Sequence, residues 1–195
     1  NQKLLLFSKS RWSLLFIIFF YKKIAKKKII NIWVPSYYCN YALSKIKEYY
    51  KDIQFIFYPI DENLNVDVIE LSKIAKTYSL DILISVNYFG KESKNTSFTN
   101  FLNKNRAWVI NDCTHCIKAD KKFEINSDFS IYSPHKFYSI PSGAICKINF
   151  TGINGSILKD QISDLDVLKK EFLIEFNLDN YKVKILDIYC SLLWF

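Results

Sequence analysis

The sequence predicts an α/β fold in which a parallel sheet is covered by helices on both faces. Short apolar runs alternate with helix-patterned segments along the chain. The runs are apolar at nearly every position, as in strands buried on both sides, rather than at every second one. The polar residues able to do chemistry gather just after those runs, where ligands of open parallel sheets bind.

The elements follow in order. Residues 12–27 read as a helix; its core WSLLFIIFFY, 12–21, is too short to span a bilayer and is followed by lysines with no cleavage site. It is therefore expected to be a helix buried on most sides, with no membrane role. IINIWV, 29–34, is a strand stopped by Pro35. Residues 40–50 have helical spacing, and QFIFYPI, 54–60, is a strand. Residues 66–78 form an amphipathic helix with Asn65 or Asp67 as its cap. DILISVNYF, 81–89, is a strand ended by Gly90, and 96–105 is a short helix. AWVIND (107–112), DFSIYS (128–133) and GAICKINF (143–150) are strands, and 157–176 reads as one helix.

Composition narrows the class. With 195 residues, half of them hydrophobic, the chain can build one domain with a real core and a small appendage. The absence of Met, the start at Asn1 and the apolar end ILDIYCSLLWF suggest a piece of a longer protein. The net charge of +8 is almost all lysine, the arginines being Arg11 and Arg106. Nucleic-acid binding favours clustered Arg with exposed aromatics, so no nucleic-acid partner is expected. The densest basic run, YKKIAKKK, reads as a solvated helix end. Five cysteines without framework spacing fit reduced thiols and a cytoplasmic location.

The stretch NDCTHC, 111–116, concentrates the chemistry. A structural zinc site needs a second ligand pair, and Cys39, Cys146 and Cys190 are scattered. A metal or redox role for Cys113 and Cys116 stays as an alternative, with the cysteines read as small buried hydrophobes. Asp112 ends an apolar strand, where a half-buried carboxylate needs a cation or donors. It is either a turn-forming Asp or a carboxylate aimed at a cationic ligand atom. Lys136 follows a strand and precedes a Ser-Ile-Pro-Ser-Gly turn; a partly desolvated lysine there can act as an amine nucleophile. Ser133 and the Ser142-Gly143 turn could bind phosphate.

An Asp after one strand and a Ser-x-x-Lys after the next resemble the pyridoxal-phosphate (PLP) enzymes of the aspartate-aminotransferase fold, type I. The chain is most similar to the sugar aminotransferases of the DegT/DnrJ/EryC1/StrS family. The residues carrying this are WVPSYYCNYAL (33–43), FYPIDENLNVD (57–67), SVNYFG (85–90), INDCTHC (110–116) and DFSIYSPHKFYSIPSGAI (128–145). The resemblance implies a three-layer α/β/α large domain whose sheet is mostly parallel with one antiparallel strand. It places that domain at 1–155, with 156–195 a connecting helix and the incomplete start of a small domain. It implies that Lys136 joins the cofactor aldehyde and then moves the substrate proton, and that Asp112 pairs with the pyridine nitrogen. His115 would lie near the ring, Ser133, Ser10 and Arg11 would bind the phosphate, and Tyr38 or Cys39 would stack on the ring. It implies transfer of an amino group, typically from glutamate, to a keto-sugar nucleotide for surface polysaccharide or a related glycan, in a homodimer. The alternative is a catalytically divergent member that serves as a binding or assembly module.

Overall fold

The computed structural model describes residues 3–91, 96–117, 126–162, 165–178 and 183–186. Its strands are β1 (Lys3–Phe7), β2 (Ile30–Pro35), β3 (Ile53–Tyr58), β4 (Ile82–Val86), β5 (Trp108–Asp112), β6 (Phe129–Tyr132), β7 (Ala144–Ile148) and β8 (Val183–Leu186). Its helices are α1 (Ser10–Ala25), α2 (Asn40–Tyr49), α3 (Val68–Ile74), α4 (Thr96–Asn105), α5 (Gly155–Gln161) and α6 (Leu165–Glu175). The strands form one eight-stranded sheet in the order β3-β2-β4-β5-β6-β7-β1-β8. From β3 to β6 all neighbours are parallel. β7 pairs antiparallel with β6 and β1, and β8 antiparallel with β1. The sheet is mostly parallel, as expected, with two strands running against the rest instead of one.

Alternation along the strands explains the layers. Ile32, Val34, Ile82, Ile84, Trp108 and Ile110 face one side, in one core with α1, α2 and Phe172 of α6. Trp33, Leu83 and Val109 face the other, against Leu71 of α3 and Phe98, Phe101 and Leu102 of α4. Both faces are thus covered, which is why the strands read as unbroken apolar runs. Every residue from Trp12 to Tyr21 of α1 is buried. Each large apolar side chain buried there contributes about 1.5–3 kcal/mol. No described helix is long and apolar enough to cross a membrane.

Several boundaries differ from the sequence reading for local reasons. β3 ends at Tyr58, since Pro59 has no N–H for the ladder, and Ile60 makes an isolated bridge to Val66. Asp67, and not Asn65, caps α3, accepting from the N–H groups of Ile69 (2.8 Å) and Glu70 (3.3 Å). β4 stops at Val86, and the chain turns through Tyr88–Gly90 with Phe89 at φ 53. The expected single helix over 157–176 is two, α5 ending at the non-helical Ile162 and α6 beginning at Leu165. Residues 163–164 lie outside the described residues, as does most of the apolar end segment, Cys190 included. The strands β1 and β8 were not anticipated at all. The lysine run is a helix end, as read: α1 stops at Ala25, Lys26 is left-handed (φ 47), and Lys22 and Lys23 pair with Asp52 and Glu171.

Candidate active site

Parallel strands β2, β4, β5 and β6 end on the same edge of the sheet, and the segments leaving them meet the amino end of α1. They enclose a cavity of about 530 Å³. Lys9, Ser10 and Arg11 line it from α1, and Tyr37, Tyr38, Cys39 and Tyr41 from beyond β2. Val86 and Tyr88 come from the end of β4, Asp112, Thr114 and His115 from the end of β5, and His135 and Lys136 from beyond β6. A volume of this size suits one small organic ligand.

Asp112 is the last residue of β5 and is 6% exposed. Its Oδ1 accepts the N–H of Thr114 at 2.9 Å, and its Oδ2 accepts the hydroxyl of Tyr38 at 2.8 Å. Burial, and then the charge of Asp112, push the Tyr38 phenol well above its ordinary pKa of 10.0, so Tyr38 remains a donor. Lys136 closes a 3-10 turn, Pro134–Lys136, that follows β6. Its Nζ donates to Thr114 Oγ1 at 3.1 Å. The residue as a whole is exposed, in contrast to the partly desolvated lysine expected, while its bond to Thr114 lies partly buried at the cavity. The neighbouring His135 is tied down, its Nδ1 lying 2.7 Å from the carbonyl of Gly143.

His115 stacks on Phe89, with ring centroids 5.5 Å apart and planes at 19°. The left-handed backbone of Phe89, uncommon for a bulky residue, presents that ring. Burial and the nearby Lys136 ammonium lower the His115 pKa from 6.5, so the imidazole is neutral at pH 7. Its Nδ1 is buried without a hydrogen-bond partner among the described residues, as is Nε of Arg11. The guanidinium of Arg11 lies over the ring of Tyr41, 4.8 Å from its centroid. No side chain caps the amino end of α1, a sixteen-residue helix with no acidic residue in its first turn. That end therefore favours an anion. The turn before it is anchored to the loop after Lys136, since the N–H of Gly143 donates to the carbonyl of Ser8 at 3.0 Å.

The structure thus gathers Ser10, Arg11, Tyr38, Asp112, His115 and Lys136 around one space. It does not add Ser133, which is 1% exposed, does not line the cavity and leaves Oγ without a partner among the described residues. The chain leaves β6 at Tyr132, and Ser133 turns inward while Lys136 turns outward. Tyr38 and Cys39 both line the cavity, with Cys39 exposed. Tyr88, Thr114 and His135 all stand just after strands in the sequence but carry no assigned role there; nothing in the sequence ties Thr114 to the lysine 22 positions on.

Cys113 and Cys116 are buried free thiols that pack with Tyr132 and Ile145. The turn between them is closed by the N–H of Cys116 on the carbonyl of Cys113 at 3.0 Å. Donation to Cys113, together with burial, raises the Cys116 thiol pKa. Among the described residues no group of three or more His, Cys, Asp or Glu could hold a metal ion.

No protein-family model matches the sequence, and no curated protein sequence matches it. Solved structures do share its fold. Helicobacter pylori PseC, an aminotransferase involved in the biosynthesis of pseudoaminic acid, superposes with a TM-score of 0.63 over 83% of this chain and 42% of its own, at 18% identity. Escherichia coli GDP-4-keto-6-deoxy-D-mannose-3-dehydratase with bound hydrated PLP gives 0.59 over 80% and 41%, at 20% identity. The PLP-bound C-S lyase of Staphylococcus hominis gives 0.59 over 87% and 47%, at 15% identity. The chain has the fold of PLP-dependent transferases, and it spans under half the length of these structures.

Proposed function

We propose that this chain is the cofactor-binding part of a PLP-dependent aminotransferase. The observation that carries this reading is the pairing, across one cavity, of a buried carboxylate, Asp112, with a lysine amine, Lys136, beside an uncapped helix end. This donor set fits the cofactor. Asp112 would hold the pyridine nitrogen protonated. Lys136 would take the aldehyde, and Ser10, Arg11 and the first N–H groups of α1 would take the phosphate. The buried, unpartnered Nε of Arg11 and Nδ1 of His115 supply polar atoms that a ligand would satisfy. The cofactor, when bound, supplies an electron sink for the substrate carbon.

The protein's part is positional and protonic. Asp112, fixed by Thr114 and Tyr38, keeps one charge at the deep end of the cavity. The Lys136 amine, at the open end, would take the proton from the substrate carbon and deliver it to the cofactor carbon. His115, with Phe89 stacked on it, lines one side, and a neutral His115 adds no positive charge beside the amine. Ser133, with its inward Oγ, would reach the phosphate only after a change of rotamer or turn.

The substrate class is the finer part of the proposal: an amino group, typically from glutamate, passed to a keto-sugar nucleotide in glycan synthesis. PseC and the dehydratase act in sugar chemistry by their names. Residues 1–155 are proposed as the large domain and 156–195 as the connection to a smaller one; Leu158 of α5 and Phe172 and Leu173 of α6 join the core, and β8 pairs with β1. A cytoplasmic homodimer is proposed, the exposed rings of Tyr37 and Tyr41 at the cavity being suited to burial by a second copy. A second reading, binding without turnover, draws on the exposure of Lys136 and the glycine-free turn Ser8-Lys9-Ser10.

The test is the visible absorption of the full-length parent protein with added PLP, beside a Lys136→Ala variant. A lysine-dependent band present in the parent and lost in the variant is expected. No band in either would sink the proposal. A band without amino transfer from glutamate would favour binding without turnover.

A further inference from the structure

Between Asp112 and Lys136 lies a residue whose side chain has no role so far. Thr114 is 6% exposed and sits inside the turn closed between Cys113 and Cys116. Its backbone is pinned from two sides: its own N–H holds Asp112 Oδ1 at 2.9 Å, and the N–H of Cys113 donates to the carbonyl of Ile131 in β6 at 2.8 Å. Its Oγ1 accepts from Lys136 Nζ at 3.1 Å. We infer that Thr114 is a positioning residue that fixes the Lys136 amine at a set place relative to the Asp112 carboxylate; this rests on the PLP reading above.

The chemistry of the two side chains argues for it. Lysine has four rotatable side-chain bonds, and an exposed one samples many rotamers. Threonine is β-branched and stiff at χ1, so its hydroxyl stands at a defined point once the backbone is held. A hydroxyl both donates and accepts. It can accept from the ammonium and, after rotation, donate to the lone pair of the neutral amine, holding the nitrogen in both states of a proton shuttle. The adjacent His135 cannot take over this task through Nδ1, which is engaged with Gly143. The same threonine also bonds the carboxylate through its backbone, so the two ends of the site share one rigid support.

The test compares the full-length parent with Thr114→Val and Thr114→Ser. Each is incubated with PLP and reduced with borohydride. A lysine nitrogen condenses with the aldehyde, losing one water, and hydride converts the C=N bond to a secondary amine. Peptide mass spectrometry then reads the modification of Lys136 relative to the chain's other lysines, which serve as internal standards. Thermal unfolding is followed alongside. Thr114→Val, isosteric but without the oxygen, is expected to lower the preference for Lys136 by about tenfold, the scale of one hydrogen bond to a charged group. Thr114→Ser is expected to keep it within about threefold, since the oxygen remains. A Val variant that labels Lys136 as the parent does would overturn the inference and leave the PLP reading intact. So would equal losses in Val and Ser that track a drop in melting temperature, which would mark a packing role. A parent that shows no preference for Lys136 would bring down both.

Discussion

Two aspartates at opposite ends of the strands make an instructive pair. Asp128 stands just before β6 at the amino edge of the sheet and is fully buried. Its oxygens accept from the N–H of Val109 (2.9 Å), the N–H of Asn154 (2.6 Å) and Nδ2 of Asn154 (3.0 Å). The surroundings close over it tightly: a Cβ on Gly152 would lie 2.7 Å from Asp128 Oδ1. Asp112 ends β5 at the carboxyl edge and is nearly as buried, yet it opens on a cavity with one backbone donor and one tyrosine. Both are buried carboxylates at the ends of adjacent strands. The first has its bonding capacity spent on the fold, and the second keeps some in reserve. That reserve, together with unpartnered polar atoms nearby, distinguishes a site from a staple.

Substitution should break this pair unevenly. Asp128→Ala is expected to have the largest effect, a loss of about 3 kcal/mol or more, because three donors are left buried and unpaired. Thermal or denaturant unfolding reads it, and a variant as stable as the parent would end the view of Asp128 as a staple. Asp112→Asn is expected to cost under about 1 kcal/mol, since the amide can still accept from Thr114 and pair with Tyr38. Under the PLP reading it should nevertheless weaken cofactor retention strongly, as seen by equilibrium dialysis. Equal stability losses at both aspartates would erase the contrast.

The smallest effect concerns pH. The folded state holds the His115 pKa below 6.5, so as pH falls the unfolded chain takes up this proton first. Stability from this source is constant above about pH 7 and declines as pH drops below roughly 6.5 toward the folded pKa. A His115→Gln variant should show a flatter fall in melting temperature between about pH 7.5 and 5. Parallel curves for parent and variant would mean that His115 titrates as if in water.

Much of the sheet was legible because both of its faces are covered, which leaves strands as continuous apolar runs. The strand-end rule then pointed to Tyr38, Asp112, His115 and Lys136, the resemblance added Ser10 and Arg11, and all six line a single space. The misses have physical causes. β1 is five residues of LLLF type run almost directly into an apolar helix, and periodicity cannot separate the two. β8 is four residues whose strand character comes from pairing with β1. Ser133 was assigned by its spacing from Lys136, but spacing does not say which way a residue leaving a strand turns. Thr114 was hidden among more conspicuous neighbours, the two cysteines and His115, and its partner comes from the next strand.

The placement of β1 also has a kinetic side. Lys3 pairs with Ile148, so β1 finds its place only once β7, far along the chain, exists. Until the strands that cover it have formed, α1 carries uncovered Leu, Ile and Phe side chains, and β1 lacks its partner. Contacts this distant in sequence fold slowly, and the waiting chain is open to aggregation. In a cell, the yield of this protein should therefore depend on chaperone capacity and on the speed of translation more than on its final stability.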